Sequence, residues 1–150
     1  MAGYKNVLAA VDLAGDMDEA LQRAIERVGP VATLSIVHVL EPAYYYYGLE
    51  PALGTLPPSF EEDLLERAKT QLAEVGARYG VPSARQYLER GYAPAQILRL
   101  AEDKGVDLII VGSHGRHGWR LVLGSTANAV LHGAKCDVLA ARVAVPASSR

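Results

Sequence analysis

The sequence predicts a doubly wound α/β fold: one five-stranded parallel sheet, strand order 3-2-1-4-5, Rossmann-like, with four helices. Three observations lead there. Apolar runs without alternation, as expected of strands covered on both faces, occur at Val7–Val11 and Leu108–Val111, and Leu34–Leu40 reads as a further strand. Segments of helical period separate the strands, and strand, helix, strand within about 30 residues is a right-handed βαβ unit. The third expected strand, Ala84–Arg90, is polar and mixed, which places it at a sheet edge.

Each element has its own warrant. Val7–Val11 ends at Asp12, and Asp16 or Asp18 can cap a helix whose Met17, Leu21, Ala24, Ile25 and Val28 recur on one face. Gly29-Pro30 stops that helix, and Glu41-Pro42 ends the second strand. A long irregular connection follows, 43–58, with four consecutive tyrosines, Tyr44–Tyr47. They suit an amphipathic loop lying over the protein's own surface; stacking on a base or on a partner subunit is the sharper alternative. Ser59–Tyr79 reads as a helix with Phe60, Leu64, Ala68, Leu72, Val75 and Tyr79 along one face. Its early glutamates suit the helix dipole and read as solvated surface. Ala93 or Pro94 opens the next helix, and Gly105 closes it in a C′ position. The last helix spans Ser125–His132, and a fifth strand Val138–Ala144.

Bulk properties narrow the function classes. At 150 residues one domain is expected, residues 1–145, with a loose tail at 146–150. A formal net charge of −2 disfavours nucleic acid and anionic lipid as partners. No apolar run approaches the roughly 18 residues of a membrane span. The N-terminal residues run straight into an apolar strand without a signal-peptide layout, so a cytoplasmic location is expected. The single cysteine, Cys136, cannot form an internal disulfide and reads as a small structural residue.

The chemistry concentrates after the fourth strand. Gly112-Ser113-His114-Gly115-Arg116-His117-Gly118 is a glycine-rich turn that lets backbone approach a ligand closely. Gly124-Ser125-Thr126 then opens a helix whose N–H groups and dipole favour an anion. Alone, such glycines signify little. In strand order 3-2-1-4-5, however, the topological switch falls between strands one and four, where ligands bind beyond the strand C-termini. Asp12 and Gly112 end those two strands, so two separate features meet at one crevice. Asp12 can cap the first helix, bind a ribose hydroxyl or hold a metal bridging phosphates. Arg116 and Arg120 can neutralise phosphate or are ordinary surface arginines, and Trp119 reads as an anchor for the loop. His38, His114, His117 and His132 form no zinc-like spacing with Cys or Asp. Catalysis has thin support: there is no Walker A pattern, no GxSxG elbow and no base–nucleophile pair.

These residues resemble the universal stress protein family. The similarity rests on Tyr4–Asp12, the Val37-His38-Val39 strand end, and Val111–Gly115 through Gly124-Ser125-Thr126, and it runs over nearly the whole chain. Its most specific piece is the Gly-x-x-Gly, then Gly-Ser/Thr, of the ATP-binding branch. Eight residues, 116–123, separate the halves here, where that branch carries nine. The resemblance implies a small cytoplasmic stress-response protein, a homodimer through its last strand (Val138–Val143), binding ATP or a related adenine nucleotide with or without Mg2+. By position, Ala10, Val11 and Asp12 would face ribose and adenine, and the Val39 backbone would meet the adenine. Gly112, Ser113, His114 and Gly115 would wrap ribose and phosphates, with Arg116 beside them, while Gly124, Ser125 and Thr126 would hold the phosphate tail. The family's other branch, a dimeric adaptor that binds no nucleotide, is the alternative.

Overall fold

A computed structural model describes residues 3–13, 17–31, 33–42, 58–113 and 123–143. Tyr44–Tyr47, the loop core 114–122 with Trp119 and both loop arginines, and the tail expected at 146–150 lie outside these residues. The elements in chain order are β1 (Asn6–Ala10), α1 (Met17–Val28), β2 (Thr33–Leu40), α2 (Pro58–Arg78), a 3-10 turn (Ser83–Arg85), β3 (Gln86–Arg90), α3 (Ala93–Asp103), β4 (Leu108–Gly112), α4 (Ser125–Gly133) and β5 (Asp137–Ala141).

All pairings are parallel, and the strand order is β3-β2-β1-β4-β5, as the sequence predicts. Ala9 pairs with Ile36 on one side and Ile110 on the other, and all three are fully buried. Because side chains alternate between sheet faces, this row lies under one helical layer and the next row under the other. Val7, Ala9, Val11, Ile36 and Ile110 pack against α1 (Ala20, Leu21, Ala24) and α2 (Leu72). Leu8, Val37, Val39, Ile109 and Val111 pack against α3 (Ile97, Leu100, Ala101) and α4 (Ala127, Val130). Burial on both faces explains why the central strands carry no polar alternation.

The element ends are set by identifiable groups. Gly105, at φ 64°, turns the chain out of α3, and the Val106 amide bonds back to the Ala101 carbonyl at 2.9 Å. Asn6 donates its side-chain amide to the exposed Lys104 carbonyl at 2.7 Å, so β1 covers the end of that helix. Asp107 accepts from the Lys5 and Asn6 amides at 2.8 and 2.9 Å, fastening the start of β1 beside β4. Burial alone would raise the Asp107 pKa, but these backbone donors outweigh it and hold the carboxyl below its ordinary value.

Several boundaries differ from expectation by a residue or more, and three of these shifts have a visible cause. The expected strand Ala84–Arg90 begins as a 3-10 turn, because the Arg85 amide bonds to Pro82 and pairing with β2 starts only at Gln86. The last strand spans Asp137–Ala141 rather than 138–144; past Ala141 the Val143 amide bonds to the Ser113 hydroxyl instead of to a strand carbonyl. β1 spans Asn6–Ala10 rather than Val7–Val11, because the Val11 carbonyl is taken by a side chain rather than by the β2 ladder.

Candidate functional site at the strand ends

The C-terminal ends of β1, β2 and β4 share one rim of the sheet. Ala9 is level with Ile110, so two residues on Val11 and Gly112 leave the sheet side by side, on strands about 4.8 Å apart. Asp12 is exposed at this rim, and Val11 beneath it is buried. Of the residues selected from sequence, Ala10, Val11, Asp12, Val39, Gly112, Ser113, Gly124, Ser125 and Thr126 all belong to these strand ends or to the start of α4. His114, Gly115 and Arg116 lie outside the described residues.

The glycine loop is closed at its neck. The Gly124 amide donates to the Ser113 carbonyl at 2.6 Å, which brings the two ends of the loop together. Ser113, itself buried, also donates its amide to the Ala141 carbonyl at 2.8 Å and accepts from the Val143 amide at its hydroxyl. Its backbone is therefore committed to holding the loop against β5.

Beyond that neck the first turn of α4 is open. The first backbone bond of the helix runs from the Asn128 amide to the Gly124 carbonyl at 2.9 Å, and no side chain caps this end. The amides of Ser125, Thr126 and Ala127 consequently have no acceptor among the described residues. Three aligned N–H groups at the positive end of a helix are suited to the oxygens of an anion.

A second opening lies at the end of β2. Thr33 donates to Lys5 and Val37 accepts from Val11, so the odd-numbered residues of β2 direct their backbone groups toward β1. Leu40 accepts from Gly91 of the opposite neighbour, so the even ones face β3. Val39, only 7% exposed, therefore turns its N–H and C=O toward the space past the end of β1. Neither group has a hydrogen bond among the described residues. The Val11 carbonyl, which would otherwise receive the Val39 amide, is bonded at 2.8 Å by Nδ1 of His38. A carbonyl only accepts, so Nδ1 carries the proton. In sequence His38 has no zinc-like spacing and no assigned role beyond the Val37-His38-Val39 strand end, and its position facing the end of β1 could be found only from strand register.

On the α1/α2 side of Asp12 a cleft of about 90 Å³ has Val11, Leu21 and Val75 for walls and Asp12, Gln71 and Glu74 at its mouth. Asp18 and Arg78 pair at 2.9 Å across it, and the Tyr79 hydroxyl bonds the same carboxylate at 2.9 Å. Burial first, and that carboxylate second, push the Tyr79 hydroxyl up to about 12. It stays a donor well above neutral pH. Burial also pushes the Cys136 thiol up, which keeps it protonated and unreactive at neutral pH. No group of three His, Cys, Asp or Glu side chains able to hold a metal occurs among the described residues, and no described helix is long and apolar enough to cross a membrane.

Comparison with known proteins agrees with this architecture. The model of the universal stress protein family matches residues 3–142. The chain is 42% identical over 148 residues to universal stress protein A homolog 2 of Coxiella burnetii, covering 95% of this chain and 98% of that one. Among solved structures it resembles universal stress protein UspA from Lactobacillus plantarum, with a TM-score of 0.69 at 23% identity, covering 95% of this chain and 100% of the other. A universal stress protein crystallised in complex with cAMP superposes with a TM-score of 0.61 at 22% identity, covering 95% of this chain and all of that one.

Proposed function

The chain belongs to the universal stress protein family, and from that premise we propose that it binds ATP or a related adenine nucleotide at the β1/β4 crevice and acts as a cytoplasmic, dimeric regulatory module in the stress response. The observation that carries the proposal is a pair of backbone sets at one rim without partners among the described residues: the Ser125–Ala127 amides and the Val39 N–H and C=O. The first set suits phosphate oxygens. The second presents one donor and one acceptor side by side, the complement of an adenine edge. Asp12 is placed for a ribose hydroxyl or for a metal ion on the phosphates, and the loop through His114, Gly115 and Arg116 would close over them. In this proposal the nucleotide acts as a signal, with at most slow hydrolysis.

Dimerisation is proposed through the free edge of β5, Val138–Val143. Ala141 and Val143 direct their backbone groups toward β4, so Val138 and Ala140 direct theirs outward. The Arg142 carbonyl is covered by the Arg23 guanidinium, which leaves a short open edge for a second copy.

A second reading, the adaptor with an empty crevice, is favoured by the loop being one residue short. Unfolding the purified protein and identifying what it releases separates the two. An adenine nucleotide near one per chain, with saturable rebinding of ATP in calorimetry, is the expected result. Its absence in both measurements would leave the adaptor reading standing.

A further inference from the structure

We propose that His38 is a positioning residue whose imidazole keeps the Val39 amide available for a ligand. This rests on the crevice being the nucleotide site, and deepens that reading by assigning the determinant of its base-binding end.

The reasoning starts from register. Ala10 pairs with Val37, and one step further the Val11 amide still donates to the Val37 carbonyl at 2.8 Å, so the chain has not diverged from β2 at that point. In a parallel ladder the next bond would run from the Val39 amide to the Val11 carbonyl. That bond is missing. The His38 ring reaches across to the residue opposite it and donates Nδ1–H to the Val11 carbonyl at 2.8 Å instead. β1 therefore ends one residue early, and the Val39 amide, on a residue 7% exposed, keeps no partner among the described residues.

A buried backbone donor without a partner is costly and uncommon. Here its cause is visible, since a side chain has taken the acceptor meant for it. The Val11 carbonyl remains satisfied, so among the described residues the two open groups are the Val39 amide and the Val39 carbonyl beside it. Both face the gap between the ends of β1 and β2, next to Asp12. A planar heterocycle with an acceptor nitrogen adjacent to an amino group would satisfy both at once, and adenine has that pattern on its pairing edge. His38 acts through the backbone of Val39, not by touching the base.

Asparagine places an amide nitrogen where Nδ1 stands, whereas leucine has no donor. The test compares the wild-type chain with His38→Asn and His38→Leu. Two measurements are made: adenosine and ATP affinity by calorimetry, and the scalar coupling across a hydrogen bond between the Val39 amide nitrogen and the Val11 carbonyl carbon by NMR. In ligand-free wild type the coupling is expected to be absent. In His38→Leu it appears, and adenosine affinity falls tenfold or more; His38→Asn stays within about threefold of wild type and shows no coupling. The coupling present in wild type, or wild-type adenosine affinity in His38→Leu, would overturn the role of His38. Should wild type bind no adenine compound, the nucleotide reading of the crevice fails instead, while the coupling still decides what His38 does. If His38→Leu does not fold, the coupling measured in wild type and the affinity of His38→Asn decide the matter.

Discussion

Asp107 illustrates how much one half-buried side chain contributes to placing the site. Its carboxylate takes two backbone amides at the start of β1, six and seven residues before Asp12. The pKa is lowered in the folded state, so the ionised carboxylate stabilises the fold above its unfolded value, and this contribution fades as pH falls through the lower folded value. Asp107→Asn is expected to cost about 1 kcal/mol at pH 7 in urea unfolding and almost nothing near pH 2. A constant difference across that range would mean the charge is irrelevant. At this scale the sequence was informative where a residue type announces its conformation. Asp12 after an apolar run and Gly124-Ser125-Thr126 before a helix could be read directly. His38 and Val39 could not be assigned their geometry, because it depends on which residue of β1 lies opposite, and a shift of one residue exchanges every backbone group that faces inward for one that faces out.

Helices and strands were legible where burial imposes a period. α1, α3 and the three central strands stand within a residue or two of their expected limits because each buries a continuous face. The 3-10 turn before β3 was not legible: Ser83–Arg85 has no apolar repeat, and its geometry comes from the Arg85 amide bonding to Pro82. The joint between α2 and β3 supplies a prediction at this scale. Gly76 lies inside α2, where alanine would ordinarily stabilise by about 1 kcal/mol. A Cβ there would overlap Gln86 Nε2, lie 2.6 Å from Gln86 Cδ and 3.1 Å from the Val81 carbonyl, which Gln86 Nε2 bonds at 2.8 Å. Gly76→Ala is therefore expected to destabilise by about 1–3 kcal/mol. Adding Gln86→Ala should recover part of the loss, and a double-mutant cycle in denaturant measures the coupling. Simple addition of the two effects would show that Gln86 moves away at no cost.

The strand order of the whole molecule was read from one polar strand placed at an edge, and the sheet has that order. The open edge of β5 is a property of this scale as well. Ala140 turns its amide away from β4, so Ala140→Pro removes an outward donor while sparing the inner ladder. Sedimentation should show a dimer in the wild type and a monomer in Ala140→Pro, with the melting temperature of the variant's fold shifted by only a few degrees. A dimer in both would move the interface elsewhere. The nucleotide assignment is tested most directly through the first residue of α4. Proline is well tolerated at a first helical position, and Gly124 before it, at ψ 152°, already has the extended backbone proline requires. Ser125→Pro thus deletes one amide facing the anion and leaves the helix intact. Calorimetric titration of ATP and of adenosine into wild type and Ser125→Pro should show ATP affinity reduced about tenfold in the variant, the loss of one charge-assisted hydrogen bond, with adenosine affinity unchanged. Equal ATP affinity in the two proteins would contradict phosphate binding at this helix.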